Sequence, residues 1–190
     1  MVNPQYLSGS TIAQVKHAFH ANRELPSITL QKFFSEGEYK TLSKVVSKTK
    51  WEKAKDRMHY NHSVAPLPTE LKKMLDNTMM KRCISAVLGR EIKKIEGKLC
   101  MFGWKDYTLL YDEAVEKPGI DLIIDFTPQW GENAGGKIVY ADGTGDSRNI
   151  PSSPNTLSVT IRKEGVQKFV QYCNHYAGKK KRILFLGTVE

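Results

Sequence analysis

Five histidines and one arginine are the side chains in this sequence best suited to hold a metal or an anion. His17 and His20, and again His59 and His62, are spaced three apart, a spacing that on a helix puts both imidazoles on one face. Two histidines without a nearby third ligand make a poor metal site, so solvated surface polar residues are the simpler reading of both pairs. His175 stands alone in Asn174-His175-Tyr176-Ala177-Gly178, a composition typical of a turn. Arg182 closes the basic run Lys179-Lys180-Lys181 and opens an apolar strand pattern. It is either a guanidinium forked onto a carboxylate or other anion, or the solvated end of a basic turn. Tyr111 and Trp130 read as core or rim aromatics rather than ligand platforms. There is no phosphate-cradling glycine loop, no Cys-x-x-Cys pair and no zincin helix. Cys83, Cys100 and Cys173 are odd in number and far apart, which predicts buried or free thiols in a reducing compartment and no disulfides.

The elements that must position these groups change character midway. The first half reads as mostly helical. Thr11 to Ala21 carries Ile12, Val15 and Phe19 on one face, with Ser10 as the expected N-cap. Ile28 to Phe33 reads as a short strand, and Ser35 with Glu38 forms a capping box before a helix bearing Leu42, Val45 and Val46. Trp51 to Met58 is extended or irregular. Helices follow over about Thr69 to Leu75 and Met79 to Leu88, with Pro68 near a helix start and Gly89 as a stop. The second half has period two. Ile92 to Met101, Asp106 to Tyr111, Asp121 to Phe126, Gly136 to Tyr140, Asn155 to Ile161, Val166 to Cys173 and Arg182 to Val189 are β-rich runs separated by Gly, Pro, Asn and Asp clusters. No helix of useful length intervenes, so an antiparallel sandwich or barrel is predicted, not a parallel sheet.

Length and charge set further bounds. A chain of 190 residues with 40% apolar and 26% charged residues is that of an ordinary globular protein able to bury its own core. No apolar run is long enough for a bilayer, and Met1 to Ser10 lacks a hydrophobic signal region, which predicts a cytoplasmic, intracellular protein without a membrane partner. Of the formal net charge of +9, all falls in residues 1–100, with 18 Lys and Arg against 9 Asp and Glu; residues 101–190 carry 11 of each. The basic half is thus the candidate surface for a protein partner or an anionic macromolecule, although a solvated Lys-rich helical face is the simpler explanation of the charge.

Four segments of the second half together resemble the double-stranded β-helix of Fe(II)- and 2-oxoglutarate-dependent oxygenases, in the prolyl-hydroxylase branch that includes ribosomal-protein hydroxylases. Asp106-Tyr107-Thr108-Leu109-Leu110-Tyr111-Asp112-Glu113 is similar to the strand carrying the family's His-x-Asp. The stretch from Thr127-Pro128-Gln129-Trp130 to Gly135-Gly136-Lys137-Ile138 resembles its "Pro-x-Trp … Gly-Gly-x-Leu" turn and strand. Pro154-Asn155-Thr156-Leu157 is similar to the strand before the distal histidine, and Arg182 to Gly187 to the last strand, whose Arg pairs with the cosubstrate carboxylate. The resemblance covers residues 90–190 and implies an α+β fold. A jelly-roll barrel over residues 91–190 packs on a basic, mostly helical support layer over residues 1–90, in one domain.

The resemblance also implies where the site should be, and there this sequence departs from the family. Tyr111 and Glu113 stand at the His-x-Asp positions and Gln167 at the distal histidine. A phenol is a poor Fe(II) ligand at neutral pH, and an amide oxygen lacks the basicity of imidazole. His175 in a shifted register is the alternative ligand. Arg182, with Tyr107, is the expected cosubstrate contact. Fe(II) and 2-oxoglutarate are therefore expected to bind weakly or not at all. The expected function is an oxygenase-fold protein with a lost or altered iron site acting as a binding or interaction protein. Two alternatives stand beside it: an active 2-oxoglutarate-dependent protein hydroxylase (dioxygenase) with unrecognised ligands, and a basic nucleic-acid- or ribosome-associated module.

Overall fold

In the computed structural model, the described residues are 1–21, 23–56, 59–109, 117–142, 145 and 147–190. Helices α1 (Gly9–Ala21), α2 (Glu36–Ser47), α3 (Thr69–Leu75) and α4 (Thr78–Leu88) alternate in the first half with strands β1 (Ser27–Leu30), β2 (Glu52–Asp56) and β3 (Tyr60–Ala65). The second half supplies β4 (Ile95–Phe102), β5 (Tyr107–Thr108), β6 (Gly119–Asp125), β7 (Ile138–Ala141), β8 (Ser147–Ile150), β9 (Thr156–Arg162), β10 (Gln167–Val170) and β11 (Arg182–Val189). The large sheet runs β1-β9-β6-β11-β4-β3-β2, with β5 also on β3; the small one runs β10-β7-β8. Every pairing is antiparallel. The expected jelly roll packed on helices is what these residues form.

The period-two rule explains why β6 and β11 read as nearly continuous apolar runs. Ile120, Leu122 and Ile124 face the core shared with the helices, while Ile123 turns into a second core between the two sheets. Likewise Phe185 and Val189 pack toward the helices, and Leu184 and Leu186 toward the small sheet. A sheet covered on both faces needs apolar residues on both. Gly97 and Gly187 oppose each other in the β4–β11 ladder. A Cβ on Gly187 would come within 2.5 Å of the Phe185 ring, so the bare backbone there makes room for that buried ring.

Helix ends follow local chemistry. Asn77 caps α4 by accepting from the Met79 N–H at 2.9 Å, and Gly89 ends it in the left-handed conformation at φ 70°. Between them Met80, Cys83, Ile84, Val87 and Leu88 make the buried stripe. Two expected caps differ. α1 begins at Gly9, so Ser10 lies inside it, and the Ser8 hydroxyl instead accepts from the Thr11 N–H at 3.3 Å. Ser35 does sit at the start of α2, but its hydroxyl makes no cap bond. The Asn155 side chain fixes the chain there by bracketing the Phe34 backbone with two bonds of 2.9 Å.

The first half is less purely helical than its sequence suggests, because β1, β2 and β3 all join the large sheet. β8 was not anticipated; its polar sequence Ser-Arg-Asn-Ile buries only Ile150. Cys83, Cys100 and Cys173 are buried free thiols, and burial pushes them up to about 11, 11 and 12. Among the described residues no helix is long and apolar enough to cross a membrane.

Candidate functional site

Two buried carboxylates on β6 organise the space between the sheets. Asp121 accepts from the Tyr140 hydroxyl at 2.9 Å and from Arg162 Nε at 3.1 Å, with Lys168 Nζ at 3.2 Å. Burial acts to raise its carboxyl, but Lys168, Arg162 and the Tyr140 hydroxyl together outweigh that and hold it below the ordinary range. The same burial, and the Asp121 charge, push Tyr140 well above its ordinary value. Asp125, four residues along the same strand face, accepts from the Thr127 N–H at 2.8 Å and the Ser152 hydroxyl at 2.9 Å.

Arg182 belongs to this second carboxylate. It is 1% exposed, so the solvated-turn reading is overturned. Its Nη2 lies 3.6 Å from Asp125, and its Nη1 donates to the Gly136 carbonyl. Burial lowers its basicity and the Asp125 charge opposes that. Nε and Nη2 make no hydrogen bond, so the fork edge is matched in charge by Asp125 without being fully bonded. Lys181, the neighbour in the basic run, stays exposed, because alternation sends successive side chains to opposite faces.

A cavity of about 760 Å³ opens between the sheets, bordered by β3, β4, β10 and β11. Val64, Cys100, Phe102, Ile138, Val170 and Leu186 give it apolar walls. Its polar members include His62, Lys98, Gln167 and Lys168; Arg182 and Tyr107 are not among its lining residues. His62 is buried, stacked on Phe102 at 5.1 Å between centroids, and its Nδ1 has no hydrogen-bond partner. Burial first, then the charges of Lys98 and Lys53 against that of Asp106, lowers it to about 4.

The expected site residues are therefore dispersed. Tyr111 and Glu113 lie outside the described residues. Gln167 begins β10 and lines the cavity. Tyr107 sits half-buried in β5, its ring 6.3 Å from that of Tyr172. His175 is exposed on a 3-10 turn beside Tyr176 and does not turn inward, so the shifted register is not adopted. His59 and His62 are not on a helix: His62 is in β3 and His59 precedes it, hydrogen-bonded to Asp56 at 2.8 Å. Among the described residues no three His, Cys, Asp or Glu side chains converge as a metal-binding group. Sequence reasoning missed the Asp121 cluster and took His62 for a solvated surface residue, whereas it is buried. The alternation in Asn61-His62-Ser63-Val64-Ala65 before Pro66 was a usable strand signal. So were two aspartates set in the apolar run from Ile120 to Phe126, since unpaired charges are not buried.

No protein-family model matches the chain, and no curated protein matches it. Solved structures do. A 2OG-Fe(II) oxygenase-family oxidoreductase from Burkholderia pseudomallei superposes with a TM-score of 0.72 at 12% identity, over 94% of this chain and 90% of its own. A prolyl-4-hydroxylase from Pseudomonas putida gives 0.69 at 10% identity, over 93% and 98%. A Trichoplax adhaerens prolyl hydroxylase, solved with a hypoxia inducible factor peptide fragment, gives 0.69 at 8% identity, over 95% and 89%. The fold is thus that of the Fe(II)/2-oxoglutarate oxygenases, in the prolyl-hydroxylase-like arrangement.

Arg182→Met leaves Asp125 buried without its countercharge and should cost about 3–5 kcal/mol in urea unfolding; adding Asp125→Leu should recover most of the loss. Equal stability of the single variant and the parent would refute the pairing. For His62, the folded value of about 4 lies below the ordinary 6.5. Between those pH values the unfolded chain binds a proton that the folded chain refuses. Stability therefore rises with pH across that window and is lost as pH falls through it, by as much as about 3 kcal/mol. His62→Phe keeps the stack on Phe102 and should remove that share of the acid limb; an unchanged limb contradicts the assignment.

Proposed function

We propose that the chain is an oxygenase-fold protein that does not run the family's iron chemistry and uses its barrel as a binding scaffold. The observation that carries this reading is the internal occupation of Arg182. The side chain expected to anchor the cosubstrate is 1% exposed, is matched by Asp125, and is absent from the cavity lining. A cosubstrate carboxylate would have to displace Asp125, which the Thr127 N–H and the Ser152 hydroxyl hold in place. Gln167, which the resemblance puts at the distal-histidine position, carries an amide where the family uses imidazole. The described residues do not fit 2-oxoglutarate held in the family's manner.

The competing reading, an active 2-oxoglutarate-dependent hydroxylase, draws on the likeness of fold alone, and fold does not carry function. The proposal keeps two further elements. The helical half, where Lys16, Lys72, Lys73 and Arg82 are exposed, is the surface for a protein or anionic macromolecular partner. The three free thiols fit a reducing, intracellular setting.

Adding Fe(II) and 2-oxoglutarate to the metal-free protein without oxygen should give no metal-to-ligand charge-transfer absorbance. A stoichiometric band would sink the proposal and restore the hydroxylase reading.

A further inference from the structure

The inter-sheet cavity has a chemistry of its own. Its volume of about 760 Å³ lies in the range of small-molecule sites. Its walls are mainly apolar, so a bound ligand would gain chiefly by leaving water. Two features add specificity. His62 is 6% exposed and lines the cavity; its Nδ1 is closed off and unpartnered, which leaves Nε2 as the ring nitrogen open to a ligand. A ring nitrogen beside apolar walls is costly to leave unbonded, and a ligand oxygen on Nε2 would satisfy it. A neutral imidazole can serve either as donor or as acceptor according to tautomer.

The second feature is a charge count. Lys168 already faces Asp121, and Glu96 is paired with Lys94. His59 is hydrogen-bonded to Asp56. Lys98 is exposed at the rim and makes no ion pair among the described residues. Beside an apolar chamber, the described lining therefore offers one cation that makes no ion pair, Lys98, and one imidazole.

We infer that the cavity binds an amphipathic monoanion, a monocarboxylate with an aliphatic or aromatic body, its head between Lys98 and His62 and its body against Phe102, Val170 and Leu186. This rests on the reading of the barrel as a binding scaffold and names the class of ligand. A small, wholly polar dianion such as 2-oxoglutarate leaves the apolar walls unfilled.

The test is titration calorimetry of the whole protein in EDTA with three probes: octanoate, 1-octanol and 2-oxoglutarate. Octanoate should bind at least about tenfold more tightly than either of the others, the octanol gap reporting the charged head and the 2-oxoglutarate gap the apolar body. Lys98→Gln, an exposed position, should weaken octanoate about tenfold and leave octanol unchanged. Absence of octanoate binding, equal binding of octanoate and octanol, or an unaffected Lys98→Gln variant would each overturn the inference. Because EDTA excludes iron, this result is independent of the charge-transfer experiment. A band there with octanoate binding here sinks the scaffold reading alone, and no band with no octanoate binding sinks the ligand alone.

Discussion

A guanidinium buried against a carboxylate inside the barrel is the constraint on which the rest turns. Arg182 opens the last strand and Asp125 ends the strand beside it, so the antiparallel register of β11 and β6 brings the two charges together. Removing both from water is expensive, and the pair is tolerable only because each member has further partners. Gly136 accepts from Arg182; Thr127 and Ser152 donate to Asp125. Those bonds tie β6 and β11 to the segment leading into β7 and to the residues after β8. The charges that close this end of the barrel are thereby committed to one another.

The other end is built differently. Asp121 gathers Arg162, Lys168 and Tyr140, and beyond them the sheets part around an apolar chamber instead of a charged one. The helices do not reach this chamber. They cover the opposite face of the large sheet, where Phe19, Leu42, Leu71 and Ile84 pack on Leu99, Leu122 and Phe185. The molecule thus keeps one dry core for stability and a second, incompletely filled one that can accept a ligand. The proposed scaffold role draws on that division: Arg182 is bonded internally, and the free space is bordered by Lys98 and His62.

Much of the fold was legible because it depends on local patterns. The period of two from Ile92 onward, the turn residues between runs, and Gly89 closing α4 predicted elements within a few residues, and Arg182 to Val189 was bounded correctly. Strands in the first half were harder. Glu-Lys-Ala-Lys-Asp in β2 has no apolar face, since it is the sheet's edge strand, and only pairing with β3 makes it a strand. The spacing of His59 and His62 suits a helix but gave no information on which element they occupy. At the site, the departures expected at Tyr111, Glu113 and Gln167 rest on the resemblance, and only Gln167 lies among the described residues. The sequence could not reveal who neutralises Arg182. Both weighed readings, ligand and solvent, left out a third, an aspartate from another strand, and such a partner is set by sheet register, which no short window of sequence contains.

The central claim is that Asp125 occupies Arg182. A crystal structure of the protein grown with saturating 2-oxoglutarate and Mn(II) tests it most directly. The account predicts Arg182 still facing Asp125 and bonded to the Gly136 carbonyl, with no cosubstrate at its fork edge. Density for 2-oxoglutarate with its carboxylate forked onto Arg182 Nε and Nη2, and Asp125 displaced, would contradict it.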